Sequence, residues 1–291
     1  MTLRTVEYLT GDSAALFWPG VIAGLAIALQ CALLSVLVAL RRLAFVGQGV
    51  SHAALGGVGV AALAGLTGPA VLVCAAIVCV ASALGIGLVS HRRGDREGER
   101  EDAAIGVFLA ASMAAGAAML AWRAQRPLAG AGPLPSWESL LFGSILSVGP
   151  GAMWASIGVG ALVVGALVLV RRPLLFWAFD EEAARAFGGR GLAMRLLFLT
   201  LLALAVVVTM RLSGVVLASA LLVLPGATAL RLSRRLGVVL ALSCAAALAG
   251  VLGGLVVSFE SNLPAGACIA LVLTALYALA WAPGWIGARQ G

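Results

Sequence analysis

Residues 45–60, FVGQGVSHAALGGVGV, set an imidazole inside a run that carries no charge. His52 is one of two histidines in 291 residues, and Gln48 and Ser51 are its polar neighbours. Neutral imidazole is a common ligand for zinc and other transition metals. In a helix, Gln48 lies four residues earlier on the same face and adds an amide oxygen. The competing role for such a histidine is a hydrogen bond to a neighbouring helix. A charged side chain at bilayer depth costs roughly 2.5–3.5 kcal/mol on insertion scales, so polar groups there are usually kept for a function.

Composition shows why bilayer depth is the relevant environment. The chain is 62% hydrophobic and 11% charged, with a mean hydropathy of +1.10, against about 25% charged residues in a soluble domain. An all-α, polytopic membrane protein is predicted. About 20 apolar residues cross the hydrocarbon core as a helix, which places spans near 15–40, 46–65, 69–90, 103–122, 150–170, 192–211, 214–230, 236–257 and 264–285. The short turn RLSG (211–214) leaves eight crossings with a broken helix as the alternative to nine. The leading MTLRTVEYLTGDS has no basic stretch and no clear cleavage site, so the first span is expected to be retained. Residues 137–147 are apolar but too short to cross, and suit a half-helix or re-entrant piece at the outer face.

The 19 basic residues are all arginine, and their distribution orients the chain. With the N-terminus outside, the inner loops hold Arg41, Arg42, Arg92, Arg93, Arg96, Arg100, Arg171, Arg172, Arg185, Arg190, Arg231, Arg234, Arg235 and Arg289. Arg4, Arg123, Arg126 and Arg211 fall outside. The positive-inside rule then makes the C-terminus cytoplasmic, and it accounts for the net charge of +7 without nucleic acid. The five cysteines lie in apolar segments without metal-ligand spacing, so neither disulfides nor a cysteine metal site is expected. Gly20/Gly24 and Gly250/Gly254 have the spacing of close helix contacts, within one bundle or at a dimer seam.

Two inner segments differ in character. HRRGDREGERED (91–102) is a mixed-charge loop, with Glu101 and Asp102 expected at the N-terminus of the following helix. PLLFWAFDEEAARAFGGR (173–190) is predicted as a short amphipathic helix on the inner face, begun by Pro173 and stopped by Gly188–Gly189. Its apolar side (Leu174, Phe176, Trp177, Phe179, Ala184, Phe187) suits the membrane surface. Its polar side (Asp180, Glu181, Glu182, Arg185) suits a soluble partner.

Six segments occur in order: FVGQGVSHAALGG (45–57), EDAAIG (101–106), LLFGSIL (140–146), FDEEAARAFG (179–188), GVVLASALLVLPGATA (214–229) and SFESNLPAGACIALVL (258–273). Together they resemble the permease subunit of bacterial ABC-3 importers for zinc, manganese or iron(II), over residues 15–280. The resemblance implies a single transmembrane permease domain over 1–291 in the cytoplasmic (inner) membrane. It implies a homodimer, two cytoplasmic ABC ATPase subunits that hydrolyse the ATP, and an extracytoplasmic metal-binding protein. No cofactor is implied as permanently bound, and the divalent metal ion is the transported substrate. Phe179, Asp180, Glu181, Glu182, Arg185 and Gly188 would form the coupling helix on the ATPase. His52, Gln48 and Ser51 would line the metal path, with two copies of His52 facing each other if their helix lines the dimer axis. Glu260 and Asn262, near the outer end of the last span, would receive the ion. Gln48 stands where the family commonly has Asp, and Asn262 where an Asp is usual, so a strongly binding Asp–His site does not transfer. Imidazole without that carboxylate favours zinc first, then manganese or iron(II). The other functions weighed are an ABC permease for a metal chelate or larger ligand, a channel, and a membrane enzyme. The spans lack the paired carboxylates, His-Glu zinc motif or positioned nucleophile an enzyme needs.

Overall fold

A computed structural model of the chain describes residues 14–90, 97–126, 143, 148–179 and 191–281. Among these, helices are α1 (Ala14–Leu40), α2 (Ala44–Leu63), α3 (Pro69–Ser90), α4 (Glu97–Gln125), α5 (Pro150–Leu169), α6 (Arg171–Phe179), α7 (Gly191–Leu232), α8 (Leu236–Ser261) and α9 (Ala265–Leu279). Seven of them are long and apolar enough to cross a membrane, and α9 is a shorter apolar helix. The protein is therefore an all-α, polytopic membrane protein, with helix bounds close to the spans read from hydropathy.

The largest departure is at α7, a helix of 42 residues. If straight it would measure about 63 Å, twice the hydrocarbon core. It breaks at Gly214, whose φ of +80° and ψ of 169° are not helical. Side-chain contacts show that the chain doubles back there. Near its start, Arg195 donates to Ser90 Oγ at the end of α3 (2.7 Å), and Phe198 packs on Trp177, which lies under Arg41 at the end of α1. Further along, Arg211 reaches the Gly68 carbonyl at the start of α3. Past the break the chain returns: Ala229 packs with Val36 and Leu40 near the end of α1, and Arg231 stacks on Trp281 beyond α9. Both ends of α7 thus lie at the arginine-rich end of the bundle. Its halves, 191–213 and 215–232, are two antiparallel segments joined at one glycine, so the RLSG turn is a turn between two helices and not the middle of one.

Small residues set the packing. A Cβ on Gly226 would collide with the Ser35 backbone, so α7 and α1 touch main chain to main chain. Gly250 and Gly254 meet Leu273 and Ile269, which explains that glycine pair by contact between α8 and α9 inside one chain. The same seam region carries a polar knot: the hydroxyls of Ser35 and Ser243 lie 3.2 Å apart and both donate to the Ala32 carbonyl. At the outer end, Phe17 of α1 and Phe259 of α8 meet edge to face.

Helix α4 begins at Glu97, so Glu101 and Asp102 lie about a turn inside it instead of at its N-terminus. Glu and Arg are good helix formers, and they extend the helix back into the charged run.

Candidate functional site

Helix α2 owes its position to its glycines. Gly49, Gly56 and Gly59 face Ile105, Ser112 and Gly116 of α4, Gly57 approaches Ala75 of α3, and Gly47 faces Leu222 of α7. With the glycine faces buried, Phe45 and Gln48 are exposed and His52 is partly so. The i, i+3, i+7 spacing puts these three on one stripe. His52 lies about 12 Å along the helix from Ala44.

The His52 ring is held by its own helix: Nδ1 lies 2.9 Å from the Gln48 carbonyl. A carbonyl can accept but not donate, so Nδ1 is the donor here, and in the neutral imidazole the lone pair is then on Nε2. A metal-bound imidazole commonly has its other ring N–H on a backbone carbonyl in this way. Ser51 is turned the other way. It is fully buried, and its hydroxyl donates to the Gly47 carbonyl at 2.8 Å. Of the three residues read as a path, the structure brings Gln48 and His52 to one surface and sets Ser51 in the packing behind them. Among the described residues no three His, Cys, Asp or Glu side chains cluster as a metal site.

Glu260 and Asn262 are both exposed at the α8–α9 turn. Asn262 ends α8 in the left-handed conformation, φ +54°, and the Ser258 hydroxyl donates to the Leu263 carbonyl to close the turn. Asparagine tolerates that backbone better than most residues, so Asn262 has a structural role there.

At the arginine-rich end, α6 follows α5 after Val170. Leu174, Trp177 and Ala178 are buried in the bundle, while Phe176 and Phe179 are 46% and 63% exposed. Of the apolar side expected on the membrane surface, Leu174 and Trp177 are thus inserted among α1, α5 and α7, and Phe176 and Phe179 are not. Asp180, Glu181, Glu182, Ala184, Arg185, Phe187 and Gly188 lie outside the described residues, as does all of 137–147 but Gly143.

The sequence reading passed over Gln30. It sits in α1 beside Gly160 of α5, fully buried, with no hydrogen-bond partner for either amide atom. A lone glutamine within an apolar span was the visible signal.

The described residues thus form a bundle of apolar, membrane-length helices that presents Gln48 and His52 on one face. Residues 13–283 match the ABC 3 transport family, and the chain belongs to it. It is 33% identical to "Manganese transport system membrane protein MntC" of Halalkalibacterium halodurans, over 89% of this chain and 84% of that protein. It is 30% identical to "Probable iron transport system membrane protein" of Haemophilus influenzae, over 90% and 91%. In fold it is similar to PsaBC from Streptococcus pneumoniae, solved in complex with a Fab, with a TM-score of 0.80 at 23% identity over 96% of this chain and 95% of that one.

Proposed function

We propose that the chain is the permease subunit of an ABC importer for a divalent transition metal ion, working as a homodimer. Two cytoplasmic ATPase subunits and an extracytoplasmic metal-binding protein complete it. One permease domain spans 1–291 in the inner membrane, with the arginine-rich end and the C-terminus in the cytoplasm. The segment 173–190 meets the ATPase through Phe179, Asp180, Glu181, Glu182, Arg185 and Gly188. Manganese is the first metal in this reading, ahead of the zinc that the sequence alone favoured, and iron(II) is the next. Relatives such as the Halalkalibacterium protein are named for manganese, and an amide oxygen such as Gln48's is the kind of donor that suits it.

The observation that carries the proposal is the Gln48/His52 stripe. A held imidazole presents Nε2 on an exposed face, beside a neutral oxygen donor. Paired across a two-fold axis, these give a site of two nitrogens and two oxygens, with Ser51 fixing the backbone behind. Glu260 and Asn262 at the outer turn would receive the ion. The test is uptake of manganese, zinc and iron(II) into proteoliposomes holding the chain with its ATPase and delivery protein, as wild type and as His52→Ala. ATP-dependent accumulation of one metal, lost in the variant that still folds and dimerises, is expected. ATP turnover without metal accumulation would overturn the reading in favour of a larger ligand.

A further inference from the structure

The indole of Trp177 is 1% exposed and meets two other segments of the chain. The Arg41 guanidinium stacks on the ring at 4.3 Å from its centroid, and the Phe198 ring lies at 6.0 Å, tilted 44°. Arg41 stands in the short connection between α1 and α2, and Phe198 lies early in α7. Trp177 itself is fixed through α6 to α5, since the Leu174 amide donates to the Val170 carbonyl. Its Nε1–H is buried without a hydrogen-bond partner. Leucine or phenylalanine would fill much of the same space without that penalty. What tryptophan adds is the widest π-face for a guanidinium.

We infer that Trp177 is a positioning residue that clamps α6 to the α1–α2 junction and to the first turns of α7. Displacement of α6 then carries α2, with Gln48 and His52, and the α7 hairpin as one body. The inference rests on the proposal that 173–190 receives the ATPase stroke. It predicts loss of coupling rather than loss of either partial activity.

The experiment measures metal accumulated per ATP hydrolysed by the complete importer in proteoliposomes. For Trp177→Ala the ratio is expected to fall about tenfold while ATP hydrolysis stays within about twofold of wild type. Trp177→Phe keeps the contact with Phe198 and weakens the one with Arg41, so it should fall between. Arg41→Gln leaves the indole buried and lowers the ratio several-fold, and it serves as the second arm if Trp177→Ala does not fold. A wild-type ratio in both Trp177→Phe and Arg41→Gln would overturn the clamp. Failure of the wild-type complex to accumulate metal would overturn the transport reading instead, so the two failures are distinguishable.

Discussion

Replacing Gly214 by alanine should destabilise the protein, and the sign of the effect is diagnostic. Its φ of +80° and ψ of 169° fall in a region open essentially to glycine alone. A Cβ there strains the backbone by about 1–3 kcal/mol. Relief is restricted because Gly143 lies directly against the Ser213–Gly214 backbone. If 191–232 were one continuous helix, the same substitution would replace a mid-helix glycine and stabilise by roughly 0.5–1 kcal/mol. Thermal midpoints of the purified protein, compared at one scan rate, measure the difference. About 2–4 °C per kcal/mol applies to chains approaching this size, so the hairpin predicts a drop of several degrees. Ser213→Ala is the control, since it removes a bond within the helix, from Ser213 Oγ to the Thr209 carbonyl. A raised midpoint in Gly214→Ala would refute the hairpin. Single cysteines at Ala193 and Arg234, in a cysteine-free background, give a second check, since a hairpin makes both react from the same side of the membrane.

The remaining expectations concern polar groups within spans. Gln30→Leu should raise the thermal midpoint, because it removes a buried amide with no partner, a group whose desolvation costs about 1–3 kcal/mol. A lowered midpoint would mean that the amide is satisfied by a bound water or ion. Gln48→Asp places a carboxylate one turn before His52, so it should increase metal retained by the purified complex and slow turnover. Unchanged retention, read by elemental analysis after gel filtration, would argue that position 48 does not face the ion.

Much of the fold was legible because hydrophobic length is a direct physical requirement of the bilayer. Helices α1, α3 and α5 end within a residue or so of the spans read from the sequence. The break at Gly214 was located only as an ambiguity: glycine's permissiveness makes it compatible with a turn or a helix, and tertiary contacts decide. His52 and Gln48 were legible because a polar residue is conspicuous among Ala, Gly and Val. The separation of Ser51 was not. It depends on which glycine faces meet α3, α4 and α7, and a single helix does not encode that. The division of α6 was hidden for a similar reason: one amphipathic helix looks the same whether its apolar side meets lipid or other helices, and only the fold supplies Arg41 and Phe198 as partners for Trp177.

The thinness of the stripe is consistent with transport kinetics. A site binding its ion with a Kd near 1 nM, loaded at about 10⁸ M⁻¹s⁻¹, would release it at only about 0.1 s⁻¹. Weakening the site to about 1 μM raises release to about 100 s⁻¹ at the same loading rate. In the proposed dimer, an imidazole and a neutral amide from each chain would lie toward the weak end, and a carboxylate in place of Gln48 would move them toward the tight end. On this reading the permease passes an ion already chosen elsewhere, and selectivity belongs to the delivery protein. Accumulation against a gradient must then come from the stroke delivered at α6, since a weak site alone sets no direction. Under the proposed coupling, the contact between Trp177, Arg41 and Phe198 is therefore more consequential for net uptake than any further ligand at the stripe.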